Sequence, residues 1–289
     1  PGILAHIAVS KYADGLPLYR QEKILERLGV DLSRSTTSKW MVACAELLQP
    51  IFNLIRDHAF DTGCMYCDET VIQVLKEADK SPGSKSFMWV LGSHAVQDKA
   101  GCFFYSPSRS GKVARDLLDD YRGFLHTDGY QGYNNLPSGI RRVGCLAHAR
   151  RKFHDATKAG ASGTEGSIAA QALTRIQKIY ALEKQIRHKP PEIRKSEREK
   201  SSLPLLDDLY GWLVKVKDSL PPKSLTGRAC AYLFDEWPFI IRFLEDGRLE
   251  VDTNWIERQI KPFVIGRKAW LFADTPNGAE ASAMLYSVI

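Results

Sequence analysis

The sequence has 289 residues, 44% of them hydrophobic and 26% charged, with a net charge of +6. That length suits one large domain or two ordinary ones, and the composition is that of a soluble, globular chain. No apolar run reaches the roughly 18 residues of a membrane span, and the start "PGILAHIAVSKYADG" lacks the charged lead and apolar core of a secretory signal.

The start also lacks an initiator Met and the end, "MLYSVI", stops in an apolar segment, so a fragment of a longer protein is expected. In chain order, "LYRQEKILERLG" reads as a helix with Gly29 as its C-terminal stop. Ser33 or Ser35 can cap a second helix, whose apolar stripe is Trp40, Ala43, Leu47 and Ile51. This is the layout of a helix-turn-helix that offers Arg34, Thr36, Thr37 and Lys39 to DNA, and equally that of a plain helical hairpin. From residue 64, "CMYCDETVIQVL", "SFMWVLGSHA" and "GCFFYSPS" read as three successive antiparallel strands, separated by "KSPGSKS" and "VQDKAG". "SGKVARDLLDDY" has helical spacing, and "GFLHTDGY" and "IRRVGCLAH" supply a fourth and a fifth strand. Residues 155–245 carry no strand signal. "SIAAQALTRIQKIYALEKQI" puts Ile168, Leu173, Ile176, Ile179, Leu182 and Ile186 on one helical face, and two more amphipathic stretches follow. Between the first of these helices and the next, "HKPPEIRKSEREKSS" is so charged that an exposed connection is expected. The order of elements implies an α/β or α+β sheet with helices on its faces.

Six cysteines without a signal peptide point to reduced thiols. Cys64 and Cys67 have zinc or redox spacing but sit in an apolar run and read as packing. Cys145 and His148 form a better half of a zinc site, with no second half evident. Three acids are more informative. Asp68 closes an apolar strand, where an ionised carboxylate is costly unless paired, hydrogen-bonded or metal-bound. Asp128 ends another strand just before Gly129, and Asp-Gly is also a common turn. Glu257 lies on a helix that Asp252 or Thr253 can cap and that Pro262 should kink or end. It sits among Arg258, Lys261, Arg267 and Lys268. Three carboxylates suit Mg²⁺ or Mn²⁺, and two such ions about 4 Å apart can cut and join phosphodiesters. Basic stretches around Arg150, Arg151 and Lys152, and around Glu257, would then hold the DNA backbone. Unrelated surface and turn acids are the competing reading.

"LPLYRQEKILERLGVDLSRSTTSKWM", "CDETVIQVL", "SRSGKVARDLL", "LHTDGYQGYNNL", "CLAHARRKFHDA" and "NWIERQIKPFVIGRKAWLFADTPNGAEASAMLYSVI" together resemble, in order, bacterial transposases of the insertion sequence 66 family. The resemblance covers nearly the whole chain and is weakest in the helical block. It implies a DDE transposase with a ribonuclease H-like core: a mixed sheet of three antiparallel strands, a helix and two more strands, flanked by helices. It implies Asp68, Asp128 and Glu257 as catalytic residues and ligands of Mg²⁺ or Mn²⁺, two ions in all, with Asn254 orienting Glu257 or a bound water. The implied partners are double-stranded DNA, at element ends and at the target, and further copies of the protein on that DNA. The implied location is the bacterial cytoplasm, at the nucleoid.

The domains expected are a helical DNA-binding segment at 1–60, the first part of the core at 61–154, a helical insertion at 155–248 and the rest of the core at 249–289. Asp128 and Glu257 stand 129 positions apart, which is what suggests the insertion. The rivals are a ribonuclease H-like nuclease or resolvase without strand transfer, and a non-catalytic DNA-binding relic. A tyrosine recombinase would need an Arg/His/Arg/Tyr constellation that is not evident around Tyr130 and Tyr133.

Overall fold

The computed structural model describes residues 2–94, 99–159 and 167–289. In chain order the elements are three helices, α1 (Gly2–Tyr12), α2 (Leu18–Arg27) and α3 (Arg34–Asp61), and three strands, β1 (Cys64–Gln73), β2 (Lys85–His94) and β3 (Lys99–Ser106). Helix α4 (Gly111–Leu117) and strands β4 (Gly123–His126) and β5 (Ile140–Val143) follow. The remainder is helical: α5 (Leu146–Ala159), α6 (Ile168–Ile186), α7 (Pro191–Glu197), α8 (Leu203–Lys217), α9 (Leu225–Ile240), α10 (Asn254–Trp270) and α11 (Pro276–Val288). The strand order is β3-β2-β1-β4-β5, with β1 antiparallel to β2 and β2 antiparallel to β3. This is the mixed α/β architecture of a ribonuclease H-like fold, a central sheet flanked by helices. The turn expected at "VQDKAG" falls partly on residues 95–98, outside the described residues. Among the described residues no helix is long and apolar enough to cross a membrane.

The chain divides into two compact units. The first holds residues 1–123, 134–140 and 255–289; the second holds 124–133 and 141–254. In the first unit, alternate residues of β1 point to one face of the sheet. Tyr66, Ile72 and Val74 join Met88 and Val90 of β2 and Phe103 of β3 on that face. They pack on Trp255, Ile256, Ile260 and Phe263 of α10 and on Ala279, Ala283 and Leu285 of α11. Ser33 caps α3 by accepting a hydrogen bond from the Thr36 N–H at 3.2 Å, and Gly29, with φ +78°, ends the segment after α2.

Four expectations need correction here. Asp68 does not close β1: the strand runs on to Gln73, because Thr70, Val71 and Ile72 continue the pairing with β2. The stripe on α3 is out of phase. Its buried side chains are Thr37, Met41, Ala45, Phe52 and Ala59, whereas Leu47 is 80% exposed and Ile51 and Leu54 are also exposed. The period is helical, but one residue of offset turns the face by about 100°. Pro262 does not end α10, which continues to Trp270. The backbone bond that proline forfeits belongs to the carbonyl of the exposed Arg258, which solvent can reach.

In the second unit, finally, "HKPPEIRKSEREKSS" is not an exposed connection: it forms α7 and a π-helical turn at Arg198–Ser202. Arg194 and Arg198 are buried. Arg198 donates to both carboxylate oxygens of Glu183 on α6, at 2.9 and 2.7 Å, and to the carbonyls of Phe243, Asp246 and Leu249. Arg194 donates to Glu250 and to the same Leu249 carbonyl, each at 3.0 Å. The charges that suggested solvent exposure are thus paired and hydrogen-bonded inside, which is the condition under which charge can be buried. On α6 the inner face is Ala169, Ala172, Ile176, Ile179, Glu183 and Ile186, so Leu173 and Leu182 lie only at its margin.

Candidate active site and nucleic-acid interface

Asp68 lies on the face of β1 that α10 covers. Its same-face neighbours both touch that helix. The Tyr66 ring is 5.5 Å from the Trp255 ring, and Thr70 Oγ1 accepts a hydrogen bond from Arg267 Nη1 at 3.3 Å. Glu257 follows Trp255 by two residues in the first turn of the same helix and is half-buried. The seat of Trp255 requires a glycine opposite Tyr66. A Cβ at Gly92 would come within 2.8 Å of the indole and 2.7 Å of the Ala100 carbonyl. Asp68 Oδ1 accepts from the Glu69 N–H at 2.8 Å. Glu69 points to the opposite face, where its side chain is 1% exposed and pairs with Arg109 at 2.5 Å.

Asp128 belongs to the second unit, two residues past β4. Its Oδ1 accepts from the Tyr130 N–H at 2.9 Å, an Asx-type turn that fixes the carboxylate relative to the chain. Its carbonyl accepts from Arg142 Nη2 at 2.7 Å and from the Thr127 hydroxyl at 2.9 Å. Gly129 permits close approach of Tyr232, whose ring would be 2.6 Å from a Cβ there. Asn254, expected to serve Glu257, donates through Nδ2 to Asp252 Oδ2 at 2.7 Å, and Asp252 Oδ1 accepts the Asn254 N–H at 3.0 Å. Asp252 is therefore the residue that caps the start of α10.

The chemistry of the three acids fits a hard divalent cation, since all the donors are carboxylate oxygens. Among the described residues, however, no three His, Cys, Asp or Glu side chains gather as a group able to hold a metal ion. Cys145 is buried, and its sulfur accepts from the N–H and the hydroxyl of Thr253, each at 3.2 Å. Burial pushes the Cys145 thiol up to about 11.

The basic residues fall in three places. In the first unit, Arg34 and Lys39 are exposed and line a cavity of about 820 Å³ with Lys11, Tyr19, Trp270 and Asn277. Thr36 is half-buried beside them, its hydroxyl 3.0 Å from that of Ser33. Thr37 does not face outward: it is 2% exposed, and its hydroxyl donates back to the Arg34 carbonyl at 3.0 Å. On α10, Arg258, Lys261 and Lys268 are exposed. Arg267 is partly buried, which lowers its pKa from the ordinary arginine value, and it lies 5.9 Å from the Phe263 ring. In the second unit, Arg150, Arg151 and Lys152 are exposed on α5; Arg150 lies over Tyr180 and Lys152 over Tyr232. Gly92, Arg142, Tyr232 and Glu236 were not singled out from the sequence: each meets the candidate acids or their neighbours only through folding, and none belongs to a local motif.

Residues 1–281 match the model of the family described as "Transposase IS66 family". Three curated proteins of Sinorhizobium fredii (strain NBRC 101917 / NGR234) are similar along essentially the whole chain. Uncharacterized protein y4jD is 32% identical over 304 residues, covering 99% of this chain and 58% of the relative. Uncharacterized protein y4qI is 32% identical over 305 residues, with 99% and 55% covered. Uncharacterized protein y4hP is 28% identical over 306 residues, with 100% and 55% covered. The chain thus spans a little over half the length of these relatives.

Proposed function

The chain belongs to the IS66 transposase family, and from that premise we propose that it forms the DNA-cutting and DNA-joining core of a longer protein. In the first step a water oxygen attacks phosphorus at an element end, and the leaving 3′ oxygen takes up a proton to become a hydroxyl. In the second step that hydroxyl attacks a target phosphodiester, whose own 3′ oxygen leaves. Asp68, Asp128 and Glu257 would hold two Mg²⁺ or Mn²⁺ ions between them. Such ions, when bound, activate the attacking oxygen and stabilise the leaving one.

The chain's own residues bind and orient the polyanion. Arg258, Lys261 and Lys268 project from the helix that carries Glu257 and would hold phosphates beside the reacting one. Arg267, partly desolvated and tied to Thr70, keeps a fixed positive charge over the strand that carries Asp68. Arg34, Thr36 and Lys39 would contact DNA farther along, and Arg150, Arg151 and Lys152 form a third contact. The partners in this reading are element ends and target DNA, held by several copies of the protein, with residues 155–248 as an insertion in the core.

The observation that supports the reading most is the placement of Asp68 on the inner face of β1 beneath α10, the helix that bears Glu257. The test is a product assay with the full-length protein and labelled element-end DNA. Wild type should nick and then join strands only with a divalent metal present. Asp68→Asn, Asp128→Asn and Glu257→Gln should each abolish both steps while retaining DNA binding. Nicks without joined products would favour a nuclease. Normal cutting by all three variants would overturn the assignment.

A further inference from the structure

We propose that Arg142 and Glu236 are positioning residues for Asp128, so that the helical block itself builds the turn presenting this carboxylate. The inference rests on reading Asp128 as a residue of the reacting site.

Arg142 on β5 is 4% exposed, and its guanidinium makes a connected set of bonds. Nη2 donates to the Asp128 carbonyl at 2.7 Å and to Glu236 Oε2 at 2.5 Å. Nε donates to Thr127 Oγ1 at 3.0 Å, and that hydroxyl donates in turn to the Asp128 carbonyl at 2.9 Å. The planar fork therefore grips two successive residues of the turn, which a lysine ammonium could not do in one plane. Helix α9 supplies the rest of the grip. Glu236 provides the counter-charge, and Phe239, three residues on, places its ring 4.2 Å from the guanidinium. Tyr232, one turn earlier on α9, closes over Gly129.

An Asp-Gly turn is by itself conformationally permissive. Here it is held from the backbone side by Arg142, from above by Tyr232, and internally by the Tyr130 N–H on the carboxylate. A carboxylate that must meet a ligand within about half an ångström needs such support, and losing an outer-shell partner typically weakens binding about 10- to 100-fold. All these contacts lie within the second unit.

The pair is best replaced together, because removing one partner leaves a buried charge uncompensated whereas an apolar pair often preserves stability. The test uses the full-length protein with Arg142→Met and Glu236→Met combined, checked for a cooperative melt. The first readout is hydrogen exchange of the Tyr130 amide, which needs no metal. The second is Mn²⁺ affinity by electron paramagnetic resonance. The expected result is at least about tenfold faster exchange at Tyr130 and Mn²⁺ binding about 10- to 100-fold weaker. A folded double variant with wild-type Tyr130 protection and wild-type Mn²⁺ affinity overturns the proposal. Should the double variant not fold, Arg142→Lys, which keeps the charge and loses the fork, is judged by the same two readouts. Asp128→Asn separates the layers. If it binds Mn²⁺ and cuts DNA normally, the reading of Asp128 fails beneath the proposal. If it is inactive while the double variant is unaltered, the clamp alone is wrong.

Discussion

Arg198→Met should cost the second unit several kcal/mol, and the structure sets the size. Arg198 has no exposed surface and donates five hydrogen bonds: two to Glu183 and one each to three main-chain carbonyls. Methionine can occupy the volume of the aliphatic stem but leaves the Glu183 carboxylate without its main partner. Breaking a buried pair from one side costs about 3–5 kcal/mol. Arg194 moderates the loss, since its Nη2 lies 3.9 Å from Glu183, although Glu250 and the Leu249 carbonyl already hold it. The lower end, about 3 kcal/mol, is therefore expected. With a urea slope of about 2 kcal/mol/M the unfolding midpoint falls by about 1.5 M. Far-UV circular dichroism through a urea titration measures it. Removing both charges, with Arg198→Met and Glu183→Met together, should recover at least half of the loss. A single-variant loss under about 1 kcal/mol would refute the view that this charge network fastens α7 and the π-helical turn to α6.

Three further outcomes are expected. His126 is fully buried, hydrogen-bonded to the Gly144 carbonyl at 2.7 Å, and its pKa is pushed down to about 4 by burial. Because the unfolded chain protonates it near 6.5 and the folded chain does not, its contribution of about 3 kcal/mol is complete above pH 6.5. It is lost as the pH falls toward 4, and His126→Gln should flatten that part of a stability–pH profile. Gly92→Ala should cost about 1–3 kcal/mol by forcing Trp255 out of its seat, with a change in tryptophan emission; an unchanged melting curve would contradict the packing described. Leu271 sits just past α10 with φ +68° and is largely exposed, so Leu271→Gly should stabilise by about 1 kcal/mol in thermal melts, through relief of a left-handed backbone that leucine disfavours.

Local signals carried well where the physics is local. Three short apolar runs with turn residues between them formed β1 to β3, and Ser33 and Gly29 marked helix ends through hydrogen bonds and φ angles that need no distant partner. The failures share a cause. The phase of α3 depends on which side α11 and β3 press against, and Leu47, Ile51 and Leu54 are as apolar as the residues that won. The charged 188–202 segment looked like solvent-facing chain because Glu183, Glu250 and the receiving carbonyls lie far away in sequence. The positions of the candidate acids were legible: Asp68 on a strand, Asp128 just past one and Glu257 in the first turn of a helix. Their supports, Gly92 under Trp255 and Arg142 between Asp128 and Glu236, exist only once the chain has folded.

The most direct measurement is to load the full-length protein, bound to element-end DNA, with Fe²⁺ in place of Mg²⁺, generate hydroxyl radicals with ascorbate and peroxide, and map where the polypeptide is cut. If Asp68, Asp128 and Glu257 surround a common ion site, backbone cleavage should appear near residues 68, 128 and 257 together, and excess Mg²⁺ should suppress all three in parallel. Cleavage at only one of these positions, or at sites elsewhere that Mg²⁺ suppresses instead, would contradict it.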